Sequence, residues 1–259
     1  MAQGRTEKRV VVAPHADDVS AGVARRLLNR LERRTAAGKT THIAFSGGRT
    51  ATAFLDALGH AAPDADVDWS RVHVWWVDEL FVSSSRPDRN AALTRVAFLD
   101  RVPIPAENVH AMPAADEGMD LDAAAAAYTA ELERFSAPDH PWPKFHVCFL
   151  GIGADGHIAA LFPDRWEIQE IDQVVVPVRD APAPPPERLT LTRPVINSAR
   201  SVWLVLTGAQ KAPALGLTLA GASYDSVPAA GAKGRHRTVF FVDQDAAANV
   251  PEELIDPEF

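Results

Sequence analysis

The chain has 259 residues, 47% of them hydrophobic and 23% charged, which is enough for a sizeable core in one large domain or two small ones. Its formal net charge of −8 excludes a broad attraction to nucleic acid or an anionic membrane, so an anionic substrate would need a local cationic pocket. The single cysteine, Cys148, excludes an internal disulfide and Cys-rich metal sites and fits a reducing cytosol.

No stretch of the N-terminal MAQGRTEKRVVVAPHADD has the apolar length of a signal peptide, and no later segment approaches the roughly 18 uninterrupted apolar residues of a membrane span. The expectation is a cytoplasmic protein with no nucleic-acid or membrane partner.

Short β-rich runs alternate with longer helical segments. RVVVA is followed by DDVSAGVARRLLNRL, where Val19, Val23, Leu27 and Leu31 recur at four-residue spacing and Gly38 marks the stop. THIAF precedes a helix opening after SGGRT. VHVWWVD runs into the polar loop SSSRPDR, after which NAALTRVAFLDRV resumes helical spacing with Leu93, Val96, Ala97 and Leu99. DLDAAAAAYTAELERF is helical because alanine, leucine and glutamate have high intrinsic propensity. FHVCFL reads as a buried strand. VVVPV and LTLT read as short strands around the proline run APAPPPE, and SVWLVLTG, the helix AQKAPALGLTLAG and the strand TVFFVD restore the alternation. With apolar strands on both sides of the proline run, residues 1–259 are expected to form one three-layer α/β domain with a mostly parallel sheet. Ligands in such sheets bind beyond the carboxyl ends of the strands.

Three loops lie at such ends. Ser46-Gly47-Gly48-Arg49-Thr50 offers close backbone approach, helix-start N–H groups and polar side chains, which suits a phosphate; a capped tight turn explains the same residues. Val77-Asp78-Glu79-Leu80 places two carboxylates after an apolar strand, for a substrate hydroxyl or for capping the next segment. In GIGADGHIAALFPD, residues 151 to 164, the glycines permit a sharp exit from FHVCFL. Asp155 can accept a hydrogen bond, and His157 falls in a first helical turn, where the positive end of the dipole would favour the neutral imidazole. A neutral imidazole can take a proton from water during attack on an ester carbonyl; the alternative makes Asp155 an N-cap and His157 a surface residue. Cys148 reads as core rather than nucleophile, and His15, His42, His73 and His146 lack metal-ligand spacing and read as structural.

Taken together, SGGRT, WWVDELFV followed by DRNAAL, IPAENVHAMP, LGIGADGHIAALFP, PPPERLTLT and GAQK resemble the 6-phosphogluconolactonase family over nearly the whole chain, and GRHRTVFFVD looks like its actinobacterial members. The resemblance implies a modified Rossmann-like α/β/α sandwich, shared with glucosamine-6-phosphate deaminases and ribose-5-phosphate isomerases. It implies hydrolysis of 6-phospho-D-glucono-1,5-lactone to 6-phosphogluconate, with His157 as the base and Asp155 orienting the loop or the imidazole. Ser46, Gly47, Gly48, Arg49, Thr50, Arg188 and Lys211 are then expected at the phosphate, and Asp78 at substrate hydroxyls or the water network. The expected partner is a phosphorylated sugar lactone, with no cofactor and no metal, and the expected state is a monomer. The deaminase branch shares the Gly-Gly loop, the Asp-Glu pair and DGHIA, but continues with a Phe-Asn-Glu-Pro type sequence where this chain has AALFP. A third reading, a sugar-phosphate-binding protein without activity, starts from one departure: Leu80 stands where the family usually has arginine, and Arg49 is the neighbouring guanidinium that would replace it.

Overall fold

The computed structural model describes residues 7–256, apart from the side chains of Glu7, Arg49 and Thr50. Strand β1 (Glu7–Ala13) leads into helix α1 (Ala16–Ala36), whose stripe of Val19, Val23, Leu27 and Leu31 is buried as its spacing requires. Gly38 follows at φ +69°, a left-handed conformation that turns the chain out of the helix. Strand β2 (Thr41–Phe45), helix α2 (Arg49–Ala61), strand β3 (Val72–Trp76) and the short strand β4 (Asp78–Leu80) come next.

Helix α3 (Asn90–Ala97) stops earlier than the sequence pattern suggests, and a 3-10 turn at Leu99–Arg101 takes over. The helical stripe is therefore broken: Ala97 and Leu99 are buried, whereas Val96 is 71% exposed. After strand β5 (Val109–His110), helix α4 (Leu121–Glu133) starts at the N-cap Asp120, whose carboxylate accepts from the backbone N–H of Ala123. Strand β6 (Phe145–Leu150) is the predicted apolar run.

Beyond it lie helix α5 (Trp166–Gln169), strands β7 (Val175–Val178) and β8 (Arg188–Leu191), helix α6 (Arg193–Asn197), strand β9 (Ser201–Leu206), helix α7 (Ala212–Leu219) and strand β10 (Arg237–Asp243). Pro213 sits in the first turn of α7, where a missing N–H costs nothing.

Seven strands form one parallel sheet in the order β1-β10-β9-β6-β2-β3-β5. A smaller antiparallel sheet, β4-β8-β7, stands beside it, and Pro177 is tolerated because β7 is an edge strand. Helices cover both faces of the large sheet. On one face, Phe45 meets Phe54 of α2 and Phe98 just beyond α3. On the other, Tyr128 of α4 packs edge-on to Trp75 and its hydroxyl bonds the backbone of Trp76. The result is the expected three-layer α/β/α arrangement. Cys148 is fully buried in the core, where loss of hydration pushes its thiol well above the usual range. No described helix is long and apolar enough to cross a membrane.

Because the seven strands are parallel, the ends of β2, β3, β6, β9 and β10 deliver Ser46, Asp78, Gly151, Thr207 and Asp243 to one edge. All five residues line a single cavity of about 740 Å³.

Candidate active site

The cavity brings together Ser46, Gly47, Gly48, Asp78, His157, Arg188 and Lys211 from five separate segments. Asp155 stands behind His157 rather than on the cavity wall. Arg49 and Thr50 begin α2 at the cavity edge, and their side chains lie outside the described residues.

His157 differs from its sequence-based placement. It lies in no helix: the backbone N–H of Gly153 donates to the His157 carbonyl at 2.8 Å, Gly156 turns at φ +88°, and Ile158 bridges to Leu161. Ala159 and Asp164 also have positive φ, +50° and +57°, which no right-handed helix accommodates. A helix dipole therefore plays no part, and the electrostatic neighbour of the imidazole is Asp155.

The Asp155 Oδ1 accepts from His157 Nδ1 at 2.6 Å and from the His157 backbone N–H at 3.2 Å. Burial raises the Asp155 carboxyl, but His157 and these hydrogen bonds outweigh it, and the net shift is downward. An ionised carboxylate only accepts, so Nδ1 carries a proton, and in the neutral tautomer the lone pair is on Nε2. Gly153 makes this seat: a Cβ there would fall on the imidazole Nδ1 and the Asp155 carboxylate.

The two carboxylates after β3 divide between the alternatives the sequence left open. Asp78 faces the cavity. Its Oδ1 accepts from the Ser46 hydroxyl at 2.5 Å, and Asn90 Nδ2 donates to its backbone carbonyl at 2.8 Å. Burial pushes the Asp78 carboxyl up, held back by Ser46, Arg188, His157 and Asn90. Glu79 points away and caps α3: Oε1 accepts from the N–H groups of Leu80 and Asn90, and Oε2 from that of Ala91, each at 2.8 Å. Burial pushes Glu79 up to about 7, opposed by these N–H groups and by Arg89, whose Nε lies 3.6 Å from Oε2.

Leu80 lines the cavity and is the cross-strand partner of Arg188. The Arg188 guanidinium lies 5.6 Å over the Phe162 ring, and its NH2 donates to the Ala183 carbonyl at 2.9 Å. Burial lowers its pKa and Asp78 opposes the shift, so the pair share one electrostatic environment. Opposite, Gly208 at φ +92° starts the turn carrying Lys211, whose Nζ donates to the Ile152 carbonyl at 2.7 Å.

Asn90 and Asp243 were missed by the sequence reading. Asn90 occupies the space that a side chain at position 47 would need, which fixes Gly47 as glycine. Asp243 accepts from the Gly208 N–H through both oxygens, at 3.0 and 2.9 Å, and holds the lysine turn in place. Its only sequence signal was a carboxylate ending an apolar strand, the same signal that marked Asp78.

Residues 14–241 match the family model described as glucosamine-6-phosphate isomerases/6-phosphogluconolactonase. The chain is 40% identical over 254 residues to a 6-phosphogluconolactonase of Streptomyces coelicolor, covering 96% of this chain and 97% of that one. It is 41% identical over 244 residues to one of Mycobacterium tuberculosis, covering 93% and 98%. The crystal structure of 6-phosphogluconolactonase from Thermotoga maritima superposes with a TM-score of 0.79 at 23% identity, over 92% of this chain and all of that one, a likeness of fold. The glycine loops and the histidine loop converge in a chain that belongs to the glucosamine-6-phosphate isomerase/6-phosphogluconolactonase family.

Proposed function

We propose that the cavity hydrolyses 6-phospho-D-glucono-1,5-lactone to 6-phospho-D-gluconate, the second step of the oxidative pentose phosphate pathway. The observation that carries this reading is the His157–Asp155 pair on a cavity that also holds Arg188 and Lys211. The curated relatives at about 40% identity carry the lactonase name, which favours this branch over the deaminase.

His157 Nε2 takes a proton from water as the water oxygen bonds to the lactone carbonyl carbon. The tetrahedral oxyanion then collapses, the bond from that carbon to the ring oxygen breaks, and the imidazolium returns its proton to the leaving oxygen. Asp155 keeps the imidazole in one tautomer and orientation. Lys211, Arg188 and the loop from Ser46 through Gly47, Gly48 and Arg49 to Thr50 bind the phosphate, with the start of α2 favouring its charge. Asp78, fixed by Ser46 and Asn90, meets substrate hydroxyls. Arg188 stands beside Leu80, so its guanidinium supplies positive charge next to the missing family arginine.

The test is hydrolysis of freshly generated lactone, with spontaneous opening subtracted. His157→Ala, shown to be folded by circular dichroism, is expected to lose about 10²- to 10⁴-fold in kcat/KM, the usual contribution of a general base. Equal rates in the two proteins would remove His157 from the chemistry. Binding of 6-phosphogluconate without turnover by wild type would favour the inactive binding protein.

A further inference from the structure

We infer that the opposite edge of the seven-stranded sheet carries a second anion site, formed by Arg30, Arg34 and Arg200 beside His146, which takes a small, multiply charged phosphate compound.

The argument starts from pairing. With 34 acidic and 26 basic residues, this chain has carboxylates to spare for its arginines. Arg165 pairs with Glu167, Arg179 with Asp122 and Arg235 with Asp139, at 2.6 to 2.9 Å. Arg30, Arg34 and Arg200 have no carboxylate within ion-pair distance among the described residues.

Their partners are neutral. Arg30 NH1 donates to the Ser201 hydroxyl at 3.2 Å, and its guanidinium lies 4.8 Å over the Trp203 ring. Arg34, one turn further along α1, donates from Nε to the Thr41 hydroxyl at 2.8 Å and from NH2 to the Thr40 carbonyl at 2.9 Å. These contacts tether the two side chains to the first residues of β9 and β2. Strand β6 runs between those two strands. The register passes from His42 with Phe145 to Ile43 with Val147, which leaves His146 as the extra residue of a bulge. Arg200 joins from the start of β9, its backbone N–H donating to the Phe145 carbonyl at 2.9 Å.

The cations also feel one another. Burial and then Arg200 pull Arg30 down to about 10, and the same two causes lower Arg34. Burial and then Arg34, Arg30 and Arg200 pull His146 down to about 3. The Arg30 and Arg34 guanidinium groups are thus held in place by neutral groups, with the exposed Arg200 side chain beside them, and no carboxylate among the described residues compensates the three charges. An oxyanion would relieve the repulsion at little cost in ordering Arg30 and Arg34, which are already tethered, and would draw in the exposed Arg200 side chain. The site spans one turn of α1 and the starts of adjoining strands, and the acidic remainder of the chain repels an extended polyanion. Both features select a small ligand with several charges.

The experiment is calorimetric titration of the full chain with inorganic pyrophosphate at low salt. The proteins are wild type, Lys211→Ala, Arg200→Gln and Arg34→Gln, each checked for folding; the Arg200 side chain is exposed, so its replacement disturbs no packing. Binding is expected to stay within about threefold in Lys211→Ala and to weaken about tenfold or more in each arginine variant, the worth of one charge-assisted hydrogen bond. It should also weaken as salt rises. Binding lost in Lys211→Ala but unchanged in the arginine variants would place the only pyrophosphate site in the active-site cavity and overturn the inference. No binding to wild type would overturn it equally.

Discussion

The two edges of the parallel sheet carry charge in opposite ways. At the carboxyl edge, charged groups answer one another: Asp155 holds His157, Arg188 faces Asp78, and Glu79 balances Arg89 and the start of α3. At the amino edge, Arg30 and Arg34 are fixed by hydroxyls, a carbonyl and a tryptophan face, and the charge of the exposed Arg200 adds to theirs. The contrast teaches that the first edge spends its polar groups on each other, to hold a catalytic geometry. The second edge leaves its charge available.

The largest effect that sharpens this comparison is expected at Glu79. Glu79→Ala removes the acceptor of three N–H groups and strands the buried Arg89 guanidinium, so unfolding free energy should fall by about 3–5 kcal/mol. A denaturation midpoint close to wild type would mean that capping of α3 does not support the site.

A smaller effect belongs to the seat of the imidazole. Gly153→Ala places a methyl group where Nδ1 of His157 and the Asp155 carboxylate meet, so kcat should drop about 10- to 100-fold while the melting temperature changes little. Unchanged kcat would show that the dyad tolerates displacement.

The smallest concerns the histidines nearer the amino edge. His42 stacks on His73 at 4.6 Å and accepts from Trp75 Nε1, while His73 bonds His110, which bonds Glu131. Burial, then the neighbouring histidines and Arg34, pull His42 down to about 3, and burial and then His110 pull His73 to about 4. A histidine whose folded pKa is depressed stays neutral in the native state while the unfolded chain takes up a proton. Its stability contribution is therefore complete above about 6.5 and is lost as pH falls towards the folded value. Thermal melts at pH 7 and pH 5 should differ by about 1–2 kcal/mol for His42, an amount that His42→Gln removes. Identical pH dependence in the variant would assign the acid loss elsewhere.

Much of the scaffold was legible because it follows from periodicity. The stripe of α1, the alanine-rich helix α4, the buried run FHVCFL and the glycine after α1 are local patterns with local causes. Where the pattern failed, a neighbouring constraint had won: Val96 is exposed because the chain turns at Leu99, and His157 is outside any helix because successive tight turns precede α5. Adjacent carboxylates were equally illegible as a pair. Alternation along β4 sends Asp78 to the cavity and Glu79 to α3, and only the position of that strand says which side is which.

The sequence by itself determined the alternation of strands and helices, the glycine loops at strand ends and the motifs that mark the family, since propensity, spacing and residue chemistry are written along the chain. The tertiary structure alone decided what those residues face. It placed Asn90 against Gly47, Asp243 behind the Lys211 turn and Arg30 against Ser201. Each of these contacts joins segments far apart in sequence, and their proximity depends on strand order and register, which no local pattern encodes.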